Sequence, residues 1–280
     1  STYRENSELS RFNRAPGGAW FPVSSETAEV VARARAIHEA SGGAFDPTVG
    51  PLVDLWGFGP PERPVALPDS AAIAGALALV GMDKVEVRGE PPALRKTSDA
   101  IRLDLSAIAK GYGVDLIGRL LEERGLGDYF IEIGGEIVLG GERVGGKPWR
   151  LAVESPRAEE REVERVIEAR GPLGIASSGT YRNYFDREGN RYSHTIDPRT
   201  GRPVTHHTAG VSVLATTCMD ADGWATALLV LGGGEALALA DREQVAAIVL
   251  PEPALDRTLD VSESKAYLLY KENGRIRELP

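Results

Sequence analysis

The chain holds a single cysteine, Cys218, in 280 residues, so it can form no intrachain disulfide. Histidine is almost as scarce: His38, His194, His206 and His207 are the only ones. With one thiol beside them, they argue against a Cys/His zinc cluster. No apolar run approaches the roughly 20 residues that a membrane-spanning helix needs. The best candidates, 71–80 and 225–231, are too short. Positive charge is in deficit, with 32 Lys and Arg against 41 Asp and Glu and a net charge of -9. Such an acidic chain is a poor general binder of nucleic acid or anionic lipid, because both are polyanions. A phosphate ligand would need local help from a metal ion, a helix N-terminus or a few placed Lys or Arg. The opening Ser1-Thr2-Tyr3-Arg4 lacks the basic and apolar regions of a secretory signal. A processed chain would read the same way, so the compartment stays open. There is no Walker loop, no GxGxxG fingerprint and no GxSxG elbow.

What remains is an ordinary globular balance, 42% hydrophobic and 26% charged. The length suits one domain over 1–280, or two intimate subdomains, with a sizeable core. Residues 24–41 carry Val30, Val31, Ala34 and Ile37 at helical spacing, with Ser24 or Ser25 as cap and Gly42-Gly43 as stop. Further helices are expected over 69–80, 106–124 and 219–231, with a short one after the Gly232-Gly233-Gly234 run. Strand-like runs cover 84–87, 100–103, 129–139, 149–154, 163–169, 210–215 and 245–250. The end, 266–271 then 275–279, reads as a hairpin turning at Asn273-Gly274. Loops are expected at 59–68 and 156–165, and the opening 1–13 reads as polar and irregular. Strands follow strands through 129–169 without regular helical crossovers. That pattern predicts an α+β fold of mostly antiparallel sheet with packed helices. No internal repeat is visible.

Four segments carry chemistry. In Met219-Asp220-Ala221-Asp222-Gly223-Trp224-Ala225-Thr226, Asp222 and Thr226 lie four apart and share a helix face. A carboxylate and a hydroxyl so placed can hold one hard cation. The plainer reading is that Asp220 or Asp222 caps the helix and Thr226 is packed. In Leu103-Asp104-Leu105-Ser106-Ala107-Ile108-Ala109-Lys110, a strand is expected to lead into a helix near Ser106. Its N–H groups and Lys110 would attract an anion, and Asp104 could accept from a ring or ribose. Otherwise Ser106 is only a cap and Asp104 a turn residue. The stretches 177–181 and 193–203 offer hydroxyls, Arg199 and His194; a histidine there suits acid–base work, or satisfies turn backbone. Residues 42–52 form a Gly- and Pro-rich loop in which Phe45 can lie against a flat ring and Asp46 accept from its edge. Tyr3 is a further stacking candidate.

Together and in this order these stretches resemble the ApbE family of FAD:protein FMN transferases. The matching blocks are STYRENSELSRFN, GGAFDPTVGPLVDLWGFG, LDLSAIAKGYGVD, YFIEIGGEI, SSGTYRNY, SHTIDPRTGRPV and DADGWATAL. They span residues 1 to about 231. The resemblance implies an α+β fold of ApbE-like, T-fold-related architecture. It implies an enzyme that binds FAD and Mg²⁺, joins FMN to a Thr or Ser hydroxyl of an acceptor protein, and releases AMP. Acceptors in this family are typically subunits of membrane-bound redox complexes, and some members only hydrolyse FAD to FMN and AMP. By position, Mg²⁺ would be held by Asp222, the Thr226 hydroxyl and the Ala107 carbonyl. Flavin contacts would come from Tyr3, Ala44, Phe45, Asp46, Asp104, Lys110 and Ile196. His194 is the preferred general base, since a Thr hydroxyl is a poor nucleophile without one.

Two departures stand out. Many relatives carry a second acidic residue three or four positions after the one matching Asp222; here Ala225 and Thr226 stand there. The family's usual strand ahead of the Ser1 region is missing from this sequence. The resemblance also implies a periplasmic protein, lipid-anchored to the inner membrane through a segment preceding Ser1. Two rivals to the transferase share its site: a Mg²⁺-dependent FAD pyrophosphatase and a non-catalytic FAD-binding protein.

Overall fold

The computed structural model describes residues 2, 4–59, 66–156, 162–181, 183–252 and 259–279. Tyr3 and most of the two expected loops at 59–68 and 156–165 lie outside the described residues. In chain order the elements are α1 (Glu8–Arg14), β1 (Phe21–Pro22), α2 (Ser25–Ala40), α3 (Gly50–Leu55), α4 (Ser70–Leu77), β2 (Val85–Gly89), β3 (Pro92–Lys96), α5 (Ala109–Glu122), β4 (Tyr129–Ile133), β5 (Glu136–Gly140), β6 (Trp149–Glu154), β7 (Val163–Ala169), β8 (Leu173–Gly179), β9 (Tyr184–Arg187), β10 (Asn190–Ser193), β11 (Ile196–Asp197), β12 (Arg202–Pro203), β13 (Thr208–Ala215), α6 (Cys218–Leu231), α7 (Gly233–Arg242), β14 (Ala246–Pro251), β15 (Ser262–Glu263), α8 (Lys265–Glu272) and β16 (Ile276–Leu279). They divide into two compact units, Ser1–Ala107 with Asn183–Thr205, and Ile108–Arg182 with His206–Pro280.

In the first unit, β1, β3 and β2 form a three-stranded antiparallel sheet with α2 packed on β2 and β3. Ser24 caps α2 by accepting from the Thr27 N–H, and Val31, Ala34 and Ile37 bury the expected apolar stripe. A second apolar cluster joins Leu52 and Trp56 to Ile73, Val80 and Ile196. The Trp56 indole N–H donates to the Gly201 carbonyl at 2.8 Å, fixing the 198–201 turn against α3. β9 with β10, and β11 with β12, are short hairpins.

The second unit is built on a six-stranded antiparallel sheet in the order β15-β14-β13-β8-β5-β4. α6 packs on β8 and β13, and against α5 and α7. It is buried around most of its circumference. On β8 the side chains alternate: Leu173 and Ile175 enter an apolar cluster with Leu151, Ile167, Tyr267 and Ile276, while Gly174 faces α6. That cluster joins the large sheet to the second sheet, β16-β7-β6, and to α8. Arg165 on β7 ties the two sheets further by pairing with Glu263 and Glu278.

Every strand pair among the described residues is antiparallel, in keeping with the expected α+β fold of mostly antiparallel sheet. Five local expectations are corrected. Residues 1–13 are not all irregular, because Ser7 caps α1 by accepting from Ser10 N–H. Residues 100–103 form no strand: the Asn13 side chain accepts from Leu103 N–H and donates to Leu103 C=O, both at 2.8 Å, standing in for a neighbouring strand. The third helix begins at Ala109, not Ser106. Asp104 accepts from Ser106 N–H at 2.9 Å and makes an Asx turn there. The run 129–139 is two strands, since Gly134 and Gly135 at φ 65° and 99° turn it back on itself. The end is not a hairpin. Ser264 caps α8 by accepting from Tyr267 N–H, Gly274 at φ 73° follows the helix end, and β16 pairs with β7.

Candidate functional site

Asp222 sits inside α6 and is only 4% exposed. It does not cap the helix, and neither does Asp220. Thr217 accepts from Asp220 N–H, and Asp115 of α5 accepts from Cys218 N–H and Met219 N–H, both at 2.8 Å. The Asp222 carboxylate instead accepts from Gly111 N–H in the first turn of α5, at 3.0 Å. The positive end of α5 therefore faces a carboxylate of the protein itself. Lys110, the next residue back, is half exposed and pairs with Glu136 at 2.5 Å. Glu136 opens β5 directly after the Gly134-Gly135 turn, and its side chain is 3% exposed. Thr226, one turn on from Asp222, lies 3.2 Å from the Ser178 hydroxyl of β8.

Burial pushes the Asp222 carboxyl up to about 7; the Gly111 N–H opposes this, Glu136 adds to it and Lys110 opposes it. One oxygen of Glu136 takes the Lys110 ammonium. The other is buried with no hydrogen-bond partner, alone in this among buried side-chain N and O atoms of the described residues. Two buried carboxylates are thus held on adjacent residues of α5, Glu136 by the Lys110 ammonium and Asp222 by the Gly111 N–H.

This donor set of carboxylate and hydroxyl oxygens suits Mg²⁺. Among the described residues no three His, Cys, Asp or Glu side chains gather as a metal cage. A cation held there would draw only part of its coordination shell from these side chains. Ala107, whose carbonyl the sequence reading adds, ends the first segment of the first unit, four residues before Gly111.

In the first unit, Ala44, Phe45 and Asp46 are buried. The Asp46 carboxylate accepts from the Thr48 N–H and hydroxyl at 2.8 and 2.5 Å. Its other oxygen lies 3.4 Å from His38 Nδ1. The Asp104 N–H donates to the Pro47 carbonyl at 2.6 Å, which brings Asp104 beside the 44–48 loop. Ile196 lies in the Trp56 cluster.

His194 is half-buried and meets Phe58 edge-on, with ring centroids 6.3 Å apart. Its Nδ1 lies 3.0 Å from the Asn183 carbonyl oxygen, which can only accept. Nδ1 is therefore the protonated nitrogen, and Nε2 keeps its lone pair in the neutral ring. Burial holds the ring's pKa below the usual imidazole value, against the pull of the Asn183 bond.

Lys110, Asp222 and Thr226 thus fall in one unit, and Ala44, Phe45, Asp46, Asp104, His194 and Ile196 in the other. The sequence reading missed Glu136, Gly111 and Asp115. A Glu directly after Gly-Gly, at the head of the apolar run 137–139, was the available signal for the first. Gly111 and Asp115 matter through contacts that no local pattern encodes.

The ApbE family model matches residues 1–249. A Vibrio cholerae FAD:protein FMN transferase is 44% identical over 250 residues, which are 89% of this chain and 74% of that protein. The solved flavin transferase ApbE from Vibrio cholerae aligns with a TM-score of 0.85 at 40% identity, over 96% of this chain and 84% of that one. The Pseudomonas stutzeri flavinyl transferase ApbE, solved in its apo form, gives 0.84 at 40% identity, over 95% and 81%.

Proposed function

Because this chain belongs to the ApbE family, we propose that it transfers FMN from FAD to a Thr or Ser hydroxyl of an acceptor protein and releases AMP. The observation that carries this reading is the buried Asp222 carboxylate held on the first turn of α5 beside Lys110. A phosphoryl-transfer site needs such a cation anchor next to a positive charge. Asp222 and Thr226 would hold Mg²⁺ with the Ala107 carbonyl, and bound there the ion would neutralise charge on the pyrophosphate. Lys110 adds positive potential for the phosphates. In the transfer, the acceptor oxygen bonds to the FMN phosphorus, the bond from that phosphorus to the bridging oxygen breaks, and the AMP phosphate leaves. The hydroxyl proton passes to Nε2 of His194, neutral near pH 7 and fixed in the required tautomer by Asn183. Phe45, Asp46, Asp104 and Ile196, with Ala44 and Tyr3, are proposed to line the flavin side.

The test is incubation with FAD, MgCl₂ and a candidate acceptor, followed by mass spectrometry of the acceptor. Covalent FMN on the acceptor with AMP released is expected. Free FMN and AMP alone would make the protein a pyrophosphatase, and bound FAD with no AMP a binding protein. Asp222→Ala should abolish turnover, whereas His194→Ala should slow transfer while leaving FAD binding intact. Undiminished transfer in His194→Ala removes the base assignment alone. A lipid-anchored periplasmic location, and acceptors in membrane redox complexes, are proposed on family resemblance. Cell fractionation that finds the protein and its flavinylated acceptor in the cytoplasm overturns that part.

A further inference from the structure

Glu136 brings a second buried carboxylate to the turn of α5 that seats Asp222. We propose that Glu136, at the head of β5, supplies the second negative charge of the cation site, with one oxygen holding Lys110 and the other facing the cation. This rests on the assignment of the cation to Asp222.

Three observations lead to it. The Glu136 side chain is 3% exposed, yet one of its oxygens has no hydrogen-bond partner among the described residues. A buried charged oxygen left bare is costly unless a ligand completes it. Glu136 and Asp222 are also held on adjacent residues of α5, Glu136 by the Lys110 ammonium at 2.5 Å and Asp222 by the Gly111 N–H at 3.0 Å, and a cation between two carboxylates gathered on one helix turn relieves both. Finally, Lys110 satisfies only the other oxygen and is half exposed. Once Asp222 is ionised, one ammonium stands against two buried carboxylates and the cluster is one positive charge short. The Gly134-Gly135 turn explains how a strand delivers this residue. With both glycines at positive φ the chain reverses in two residues, and Glu136 becomes the first paired residue of β5, opposite Ile133.

A purely structural role, in which Glu136 only anchors Lys110, predicts different binding. Titration of the flavin-free full chain with MnCl₂, following the free ion by electron paramagnetic resonance, separates the two. Glu136→Gln keeps the size and loses the charge, and should weaken Mn²⁺ binding by about ten-fold, since affinity for hard cations follows ligand charge. Glu136→Asp should recover part of that loss. Lys110→Gln removes a competing positive charge and should tighten binding, where a structural pair would loosen it. Each variant is compared at a matched unfolding midpoint in chelator, and Glu136→Asp carries the test if Glu136→Gln does not fold. Unchanged Mn²⁺ affinity in Glu136→Gln, beside a loss in Asp222→Asn, overturns the role of Glu136 and leaves the cation at Asp222. Unchanged affinity in both variants overturns the assignment to Asp222 itself.

Discussion

Asp222 is subject to opposing demands. The helix end at Gly111 and the ammonium of Lys110 favour its charge, while burial and Glu136 oppose it, and the carboxyl ends near 7. The consequence for stability has a definite sign. Without a cation, the folded chain keeps this proton up to about pH 7, whereas an unfolded chain loses it near the usual 3.8. Between those values the folded state binds more protons, so this group's contribution to stability falls as pH rises through the window. Asp222→Asn cannot ionise and should escape the fall. Relative to the parent, it should gain roughly 2 kcal/mol on going from about pH 5 to about pH 8 in chelator, read by urea unfolding. A parent–variant difference that does not change with pH rules this out. The same carboxyl must release its proton to take a cation. Cation uptake near pH 6.5 should therefore release protons, seen as a calorimetric heat that depends on the buffer's ionisation enthalpy. At this scale the sequence was legible in part. Asp222, Thr226 and Lys110 were visible as a spacing and as matched motifs. Glu136 was hidden, because its meaning depends on a turn that folds it back toward another element.

Elements hold these residues through close approach. A Cβ on Gly111 would stand 2.3 Å from the Cys218 carbonyl oxygen, and one on Gly174 would stand 2.2 Å from the Cys218 nitrogen. The first turn of α6 is thus wedged between α5 and β8 where only hydrogen fits. Gly111→Ala should push α5 off α6, cost about 1–3 kcal/mol as overpacking does, and loosen the N–H bond that seats Asp222. The measurable result is a lower unfolding midpoint together with weaker Mn²⁺ binding; full cation affinity in a destabilised variant would separate seating from packing. Asp115 supports the same turn by taking two backbone N–H groups that the helix cannot satisfy itself. Asp115→Ala should cost about 1–2 kcal/mol in urea unfolding, and Asp115→Asn, with a single acceptor oxygen, less. A full-strength midpoint in Asp115→Ala would show the N-terminus of α6 to be held by Thr217 alone. Periodicity revealed most of these elements and misplaced those governed by side-chain substitution for backbone. Asn13 occupies the hydrogen bonds of Leu103, which leaves 100–103 extended but unpaired. Asn273-Gly274 has the composition of a hairpin turn, but the Ser264 cap makes the residues before it a helix. α6 shows no amphipathic stripe, because sheet and helices cover most of its surface.

For the molecule as a whole, net charge and site charge act in the same direction. The chain carries -9 and its proposed ligand is an anionic diphosphate, while the proposed cation site would combine Asp222, Thr226 and Glu136 with no third acidic or imidazole ligand gathered there among the described residues. Such a partial shell should hold Mg²⁺ weakly alone, because too few oxygens replace the ion's tightly held water. FAD should bind weakly alone too, repelled by the same carboxylates. Each should then strengthen the other, and linkage requires both enhancements to be the same factor. Calorimetric titration of MgCl₂ into the protein with and without FAD, and of FAD with and without MgCl₂, measures that factor from both directions; rapid mixing or a slow variant such as His194→Ala keeps FAD intact during the titration. We expect at least about ten-fold coupling, or roughly 1.4 kcal/mol. Strong Mg²⁺ binding to the flavin-free chain would mean that the protein completes the shell unaided, and the cation would then be a resident cofactor that does not arrive with FAD. Equal FAD affinity with and without Mg²⁺ would place the ion away from the pyrophosphate and remove its part in the transfer.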